Sequence, residues 1–204
     1  MVIVIMSLIT LVFLNRQSKF DSSTIMRSLA YSIALSVRQA QVYGISVRSS
    51  GPSSGNFSSA HGLYFVSSTP SSYVLFADKD TDKKYTISID GVDQNFNLNK
   101  GYVITEFCAV SSSGKRCTGA DDTSGVATIS SLSIMFIRPN PDAYVYAFDS
   151  LGNKILFGGL PEIFSTAYLQ VASLNSPDKR FISITNTGQV SVCALNASLG
   201  SAGC

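Results

Sequence analysis

The sequence has no tryptophan, a single histidine (His61) and only 14% charged residues, with a net charge of +2. This balance is typical of neither a protein that coats nucleic acid nor an acidic protein, so charge does not identify a partner. A Ser–His–Asp arrangement would depend on His61 alone, and no glycine-rich phosphate loop opens a helix. We therefore expect no enzymatic activity and no cofactor.

Proline and glycine are absent until Gly44, which predicts one long helix from Met1 to Val47. Between Val2 and Leu14 the apolar run covers roughly 20 Å, against about 30 Å for the core of a bilayer. We therefore expect the natural chain to extend upstream. The residues predicted to lie in a membrane or in the core of a filament are Val2, Val4, Ile5, Leu8, Ile9, Leu11, Val12 and Phe13.

Two other interpretations of the apolar run are less favoured. A cleaved signal peptide would end in a small-residue cleavage site, whereas Asn15, Arg16 and Gln17 follow here. The core helix of a soluble protein would have to bury about thirteen apolar residues at a chain terminus. The run is therefore interpreted as an anchor.

A stripe of apolar residues continues the helix at three- and four-residue steps, while Arg27, Ser28 and Gln39 lie off it. This pattern is typical of a helix with one apolar face, which must pack on another element. We expect the face to pack on a sheet through Met26, Leu29, Ile33, Val37 and Ala40.

An apolar rod that continues into an amphipathic helix is the layout of type IV pilins and type II secretion pseudopilins. The run MVIVIMSLITLVFL resembles the second half of the prepilin signature, and SLAYSIALSVRQAQVYGISVRS resembles the helix that follows it in H/FimT-type minor pilins. The segments GLYFVSS and SSYVLFADKDTDKKY resemble strands of the same family. The opening Gly, aromatic residue and Glu of the signature have no counterpart here, so we expect them, with a basic leader, upstream of Met1.

The resemblance implies an α+β, pilin-like fold. Residues 1–24 would be the apolar part of the helix, residues 25–48 its amphipathic part, and residues 49–204 a β-rich head carrying an antiparallel sheet on which the helix packs. The implied function is that of a structural minor pilin or pseudopilin subunit of a type IV pilus or type II secretion pseudopilus.

Before assembly, such a subunit crosses the inner membrane once, with its head in the periplasm or outside the cell. The partners implied by the resemblance are other subunits, the membrane, the inner-membrane assembly platform and the prepilin peptidase that acts on the full-length precursor.

Helical periodicity does not return after residue 50, and short runs of aromatic and β-branched residues between turn formers predict strands. The first three runs are interpreted as a meander, and a second group follows. The predicted strands are residues 63–67, 72–77, 85–89, 101–110, 131–138, 144–149, 168–173, 180–185 and 189–193.

Four cysteines fall into two close pairs, for which three pairings exist. Proximity favours Cys108 with Cys117 and Cys193 with Cys204, and the segment between the first two is interpreted as a hairpin tip. A zinc site is disfavoured, because its ligands have shorter spacings and His61 has no close ligand neighbour. Disulfides imply an oxidising compartment outside the cytosol.

Alternating carboxylates at Asp78, Asp80 and Asp82 begin like an EF-hand calcium loop. Lys83 stands where that loop has Gly, and Ile89 stands where it has Glu. Neighbouring lysines also offset the negative charge. We therefore expect a solvated turn and no metal.

Two alternatives to a structural subunit stay open. A DNA-binding minor pilin of a DNA-uptake pilus would use basic residues at loop tips, although Gln189 stands where the family usually has arginine. An adhesive tip domain would use the serine-rich loops. Nucleic acid is not the favoured partner, and the candidates for DNA contact are Lys115, Arg116, Lys179 and Arg180.

Overall fold

A computed structural model of the chain describes residues 2–46, 59–99, 101–118, 128–157, 160–174 and 176–193. For residues 8, 12–22, 157 and 176–178 it describes the backbone alone. The elements in these ranges are one helix and twelve strands: α1 (Val2–Ile45), β1 (Ala60–Val66), β2 (Ser72–Asp78), β3 (Gly91–Asn97), β4 (Tyr102–Ser111), β5 (Gly114–Cys117), β6 (Ser131–Phe136), β7 (Ala143–Phe148), β8 (Leu156–Phe157), β9 (Leu160–Pro161), β10 (Thr166–Ser173), β11 (Ser176–Thr185) and β12 (Val190–Cys193).

Ten of these strands form two antiparallel sheets of five strands each. The first sheet has the order β3-β2-β1-β6-β7, and the second has the order β12-β11-β10-β4-β5. Strands β8 and β9 form a separate two-stranded ribbon. In both large sheets the central pairings join distant parts of the chain, β1 with β6 and β4 with β10.

The first sheet buries side chains on both of its faces. Leu63 and Leu75, which lie opposite each other on β1 and β2, belong to a main core shared with α1 and the second sheet. On the other face, Phe76 and Met135 form a smaller cluster, against which Tyr85 packs from the β2–β3 connection. Because both faces are covered, every residue of β6 and all but the last residue of β1 are buried, instead of alternating between buried and exposed.

Helix α1 packs on both sheets through its second part. It contacts β1 and β6 of the first sheet and β10, β11 and β12 of the second. Close approach is required at Gly44, where the Cβ of any other residue would lie 2.5 Å from the carbonyl oxygen of Phe136. A larger side chain at this position would push the end of the helix away from β6.

This architecture corrects the predicted fold class. We expected a pilin-like α+β fold, with a long helix lying on one antiparallel sheet. Antiparallel strands instead dominate the described chain, in two large sheets and a ribbon, and the described side chains of α1 become buried against the sheets from Met26 onward. The expectation failed because alternation identifies strands without identifying their partners, and the partners here are far apart in sequence.

The predicted strand at residues 85–89 is also wrong, since these residues belong to the β2–β3 connection. The third strand is β3, whose sequence GVDQNFN is mostly polar. It is an edge strand with no fully buried residue, so it lacks the apolar alternation by which strands are recognised. Strands β5, β8 and β9 were not predicted either, and each is only two to four residues long.

Replacing the fully buried Ile33 with alanine should lower the free energy of unfolding by about 2–5 kcal/mol, because it leaves a cavity in the main core. Leu35→Ala is the matched control on the same helix, since Leu35 is 69% exposed, and its effect should stay within about 0.5 kcal/mol. Urea melts of the full chain measure both changes. An Ile33→Ala midpoint equal to that of wild type would show that this helix face does not stabilise the domain.

Candidate functional site

The first turns of α1 present an apolar surface to solvent. We call residues 2–11 the apolar segment. Its polar side chains bond within the helix, Ser7 Oγ to the carbonyl of Val4 (3.0 Å) and Thr10 Oγ1 to that of Met6 (2.7 Å). Its exposed large side chains, each 57% to 83% accessible, are Val2, Ile3, Val4, Ile5, Met6, Ile9 and Leu11. The side chains of Leu8, Val12 and Phe13, also predicted to lie in a membrane or filament core, are outside the described residues.

Within the described ranges, no helix combines the length and the apolar character needed to cross a bilayer. This finding contradicts the predicted single-pass location in the inner membrane. The apolar run ends at Leu14, and the polar residues Asn15, Arg16 and Gln17 follow within the same helix.

The second part of α1 is the face that attaches the helix to the head. Met26, Ile33, Val37 and Ala40 are fully buried in the main core, and Leu29 is partly buried against it. Of the residues expected to lie off this face, Arg27 and Ser28 are exposed. Gln39 is half-buried and donates a hydrogen bond to the hydroxyl of Tyr43 (3.0 Å).

Polar contacts of α1 with the head reinforce this packing. Ser36 lies in the buried face, and its hydroxyl is 3.0 Å from that of Tyr73 on β2. Burial raises the pKa of Tyr73 to about 12, although the bond to Ser36 works in the opposite direction. Near the end of the helix, Arg38 donates to the carbonyl of Gly188 (3.1 Å) and Gln41 to that of Pro141 (2.8 Å). The helix is therefore held against both sheets and two turns.

A disulfide closes the β4–β5 hairpin. Cys108 and Cys117 lie directly opposite each other in the register of the two strands and are bonded, with both residues fully buried. The proposed partner of Cys193, Cys204, lies outside the described residues.

Beside this disulfide is a buried ion pair that the sequence did not reveal. Arg116 Nε lies 2.5 Å from Glu162 Oε2, and both side chains are almost inaccessible to solvent. The hydroxyls of Ser111 and Ser113 also donate to this carboxylate. Burial raises the pKa of Glu162, but the bonds from the hydroxyls and the guanidinium outweigh it, and the net pKa is below the usual value. A single glutamate directly after a two-residue strand carries no sequence signal for such a partner.

The four candidates for DNA contact do not form one basic surface. Lys115 and Arg116 lie on β5, and Lys179 and Arg180 lie on β11, with β10 and β4 between them in the sheet. Arg116 is only 2% exposed and is bound to Glu162, so it does not offer a free cation to a phosphate. This part of the prediction is wrong, because sequence alone does not distinguish a buried arginine from one at a loop tip.

His61 is buried and paired with an acid. Its Nδ1 lies 2.8 Å from Asp93 Oδ2, and its ring forms an edge-to-face contact with the ring of Tyr43. Its Nε2 has no hydrogen-bond partner among the described residues. No described serine therefore completes a Ser–His–Asp arrangement on this imidazole.

The three carboxylates that begin like a calcium loop do come together. We call residues 78–90 the acidic loop. One oxygen from each of Asp78, Asp80 and Asp82 lies within 4.8 Å of the others. The expectation of a solvated turn is wrong for Asp78, which is 1% exposed, and Asp90 at the end of the loop is also buried. The pairing of β2 with β3 encloses the ends of the loop, which a linear sequence does not show.

A surface cavity of about 350 Å³ lies between the β6–β7 turn and the segment around Glu162. Tyr144, Tyr146 and Ile163 supply much of its apolar lining. The serine-rich loops considered for an adhesive tip, residues 51–58 and 119–127, are outside the described residues.

Comparison of the chain with family models, with curated proteins and with solved structures found no match. The function of the chain is therefore inferred from its own residues.

Replacing Arg116 with methionine should lower the free energy of unfolding by about 3–5 kcal/mol at neutral pH, because it leaves the buried Glu162 carboxylate without its guanidinium. Arg180→Met is the matched control on a strand of the same sheet. Arg180 is half-exposed, and we expect a cost below about 1 kcal/mol. Chemical denaturation of both variants decides the matter, and similar costs for the two would argue against a structural ion pair.

The lowered pKa of Glu162 predicts how stability depends on pH. The carboxylate stabilises the fold above its unfolded pKa of about 4.3, and this contribution is lost as pH falls through the lower folded pKa. Glu162→Gln mimics the protonated acid, so its deficit relative to wild type should be constant above about pH 5 and shrink below about pH 4. Burial raises the pKa values of Asp78 and Asp90, so these two groups change stability with pH in the opposite direction. Both proteins contain them, so their contributions cancel when wild type and Glu162→Gln are compared.

Urea melts of wild type and Glu162→Gln across this range supply the measurement. A deficit that stays constant down to about pH 2 would show that the ionised carboxylate is not preferentially stabilised in the folded state.

Proposed function

We propose that the chain is a structural subunit of a filament of the type IV pilus or type II secretion pseudopilus kind, and that its subunits associate through the apolar segment of α1. The observation that supports this proposal most directly is the exposure of the large apolar side chains on the first turns of the helix. The described head leaves them uncovered. In water, a continuous apolar patch of this kind is a liability unless another surface covers it.

The shape of the apolar segment favours other helices as that surface. Its apolar side chains point to all sides of the helix, since Ile3, Val4, Ile5 and Met6 are consecutive and all exposed. A flat partner surface would cover only one side of such a helix. A bundle of equivalent helices from neighbouring copies covers every side, which is the arrangement implied by the resemblance to pilins.

The rest of α1 supports this role by linking the segment to the head. The backbone of the helix is continuous from Val2 to Ile45, and its described side chains become buried from Met26 onward. At 1.5 Å per residue, the fifteen steps from Leu11 to Met26 separate the apolar segment from the head by about 22 Å. This separation places the apolar segment away from the buried face of α1, where neighbouring helices can reach it.

Replacing Ile5 and Ile9 with lysine tests the proposal. The two side chains are one turn apart and 57% and 61% exposed, so the substitutions leave the head untouched and the helix intact. If the segment is buried in an assembly, loss of the two isoleucines should weaken association by about 100-fold or more. Sedimentation velocity and negative-stain microscopy of the full chain follow the assembly.

The matched control replaces two exposed leucines of the head, Leu151 and Leu174, with lysine. These residues are 84% and 72% exposed, and the control should assemble like wild type. A monomeric wild type, or an Ile5/Ile9 variant that assembles as well as the control, would contradict the proposal.

A further inference from the structure

The acidic loop contains a buried carboxylate oxygen that no described donor satisfies. Asp78 is 1% exposed, and its Oδ2 accepts a bond from the ammonium of Lys83 (2.9 Å). Its Oδ1 is buried and has no hydrogen-bond partner among the described residues. An ionised carboxylate is costly to bury unless both oxygens are compensated, so this oxygen indicates a missing cation or donor.

The neighbouring acids increase this demand for positive charge. The carboxylates of Asp78 and Asp80 lie close together, and the ammonium of Lys83 is bonded to Asp78. Asp82 brings a third carboxylate oxygen into the same space. The cluster therefore holds more negative charge than its single bonded ammonium neutralises.

The backbone of the loop has the turn that an EF-hand obtains from glycine. Counting Asp78 as position one, Lys83 occupies position six, where glycine normally supplies a left-handed conformation. Lys83 adopts this conformation with φ of 71°, and Thr81 is left-handed as well, with φ of 65°. The absence of glycine therefore does not prevent the sharp turn that aims the first three carboxylates at one point.

Asp90 does not occupy the position of the twelfth ligand of an EF-hand. It lies one residue beyond that position, and its two oxygens accept bonds from the backbone N–H groups of Lys79 (2.9 Å) and Thr86 (2.7 Å). These bonds hold the two sides of the loop together. Asp90 thus stabilises the loop, and the carboxylates that face the cluster are Asp78, Asp80 and Asp82.

We propose that Asp78, Asp80 and Asp82 bind a calcium ion, which displaces the ammonium of Lys83 from Asp78. Carboxylate oxygens are the preferred ligands of hard cations, and calcium accepts the irregular coordination that a loop with added backbone carbonyls and water provides. Magnesium requires a near-ideal octahedron and gives up its water reluctantly, so the cluster favours calcium. This inference is independent of the filament proposal.

Thermal unfolding of the full chain tests the site. At about 5 mM CaCl₂, above the roughly 0.1–1 mM dissociation constants of extracellular calcium modules, we expect the Tm to be about 5 °C higher than in EDTA at equal ionic strength. Magnesium chloride should produce a much smaller shift. An equal shift in magnesium, or no shift in calcium together with no heat of binding in calorimetry, would overturn the assignment.

Two variants assign the effect to the loop. Asp80 is exposed, so Asp80→Asn should retain the wild-type Tm in EDTA to within a few degrees while losing the calcium shift. Asp142→Asn is the matched control, since Asp142 is a half-buried acid in the β6–β7 turn outside the acidic loop, and it should retain the shift. A calcium shift that survives in Asp80→Asn, or that disappears in Asp142→Asn, would show that the ion binds elsewhere.

Lys83→Met tests the displacement of the ammonium. With no competing charge on Asp78, the calcium concentration at half-saturation should fall by about tenfold. Calorimetric titration of this variant beside wild type gives the ratio directly. An unchanged or weaker affinity would show that Lys83 does not occupy the position of the ion.

Discussion

Burial of one face of α1 against both sheets is the packing on which the rest of the described structure depends. Each sheet contributes its inner side chains to the same core, and the helix contributes fully buried residues such as Ile33 and Val37 to it. Without the helix, the inner strands β1 and β11 would expose apolar side chains to water. The helix is therefore a structural part of the head as well as the element that presents the apolar segment.

A few ionisable side chains of the described residues are buried and bonded to a partner of opposite character. Arg116 with Glu162 and His61 with Asp93 form compact pairs next to a disulfide and to the helix, respectively. Burying charges costs hydration energy that only well-matched partners offset. The acidic loop differs from both pairs, because its carboxylates outnumber the bonded ammonium. This difference is why the acidic loop, and neither pair, supports a further binding site.

The two proposals concern separate parts of the molecule and different physics. Association through the apolar segment is driven by the apolar surface area that it removes from water, and not by attraction between charges. Binding at the acidic loop depends on electrostatics within a connection of the first sheet. The loop packs through Tyr85 on the outer face of that sheet, so a bound ion would stabilise the head without contact with the apolar segment.

Local patterns in the sequence determine the helix and its buried face, because a period of 3.6 residues needs no knowledge of distant partners. Strands with apolar runs, such as β1, β2 and β6, are recognisable for the same reason, whereas the polar edge strand β3 is not. Only the tertiary structure decided that the strands form two sheets, that Glu162 neutralises Arg116, and that Asp78 is buried. Each of these depends on contacts between residues far apart in the chain, and periodicity carries no information about them.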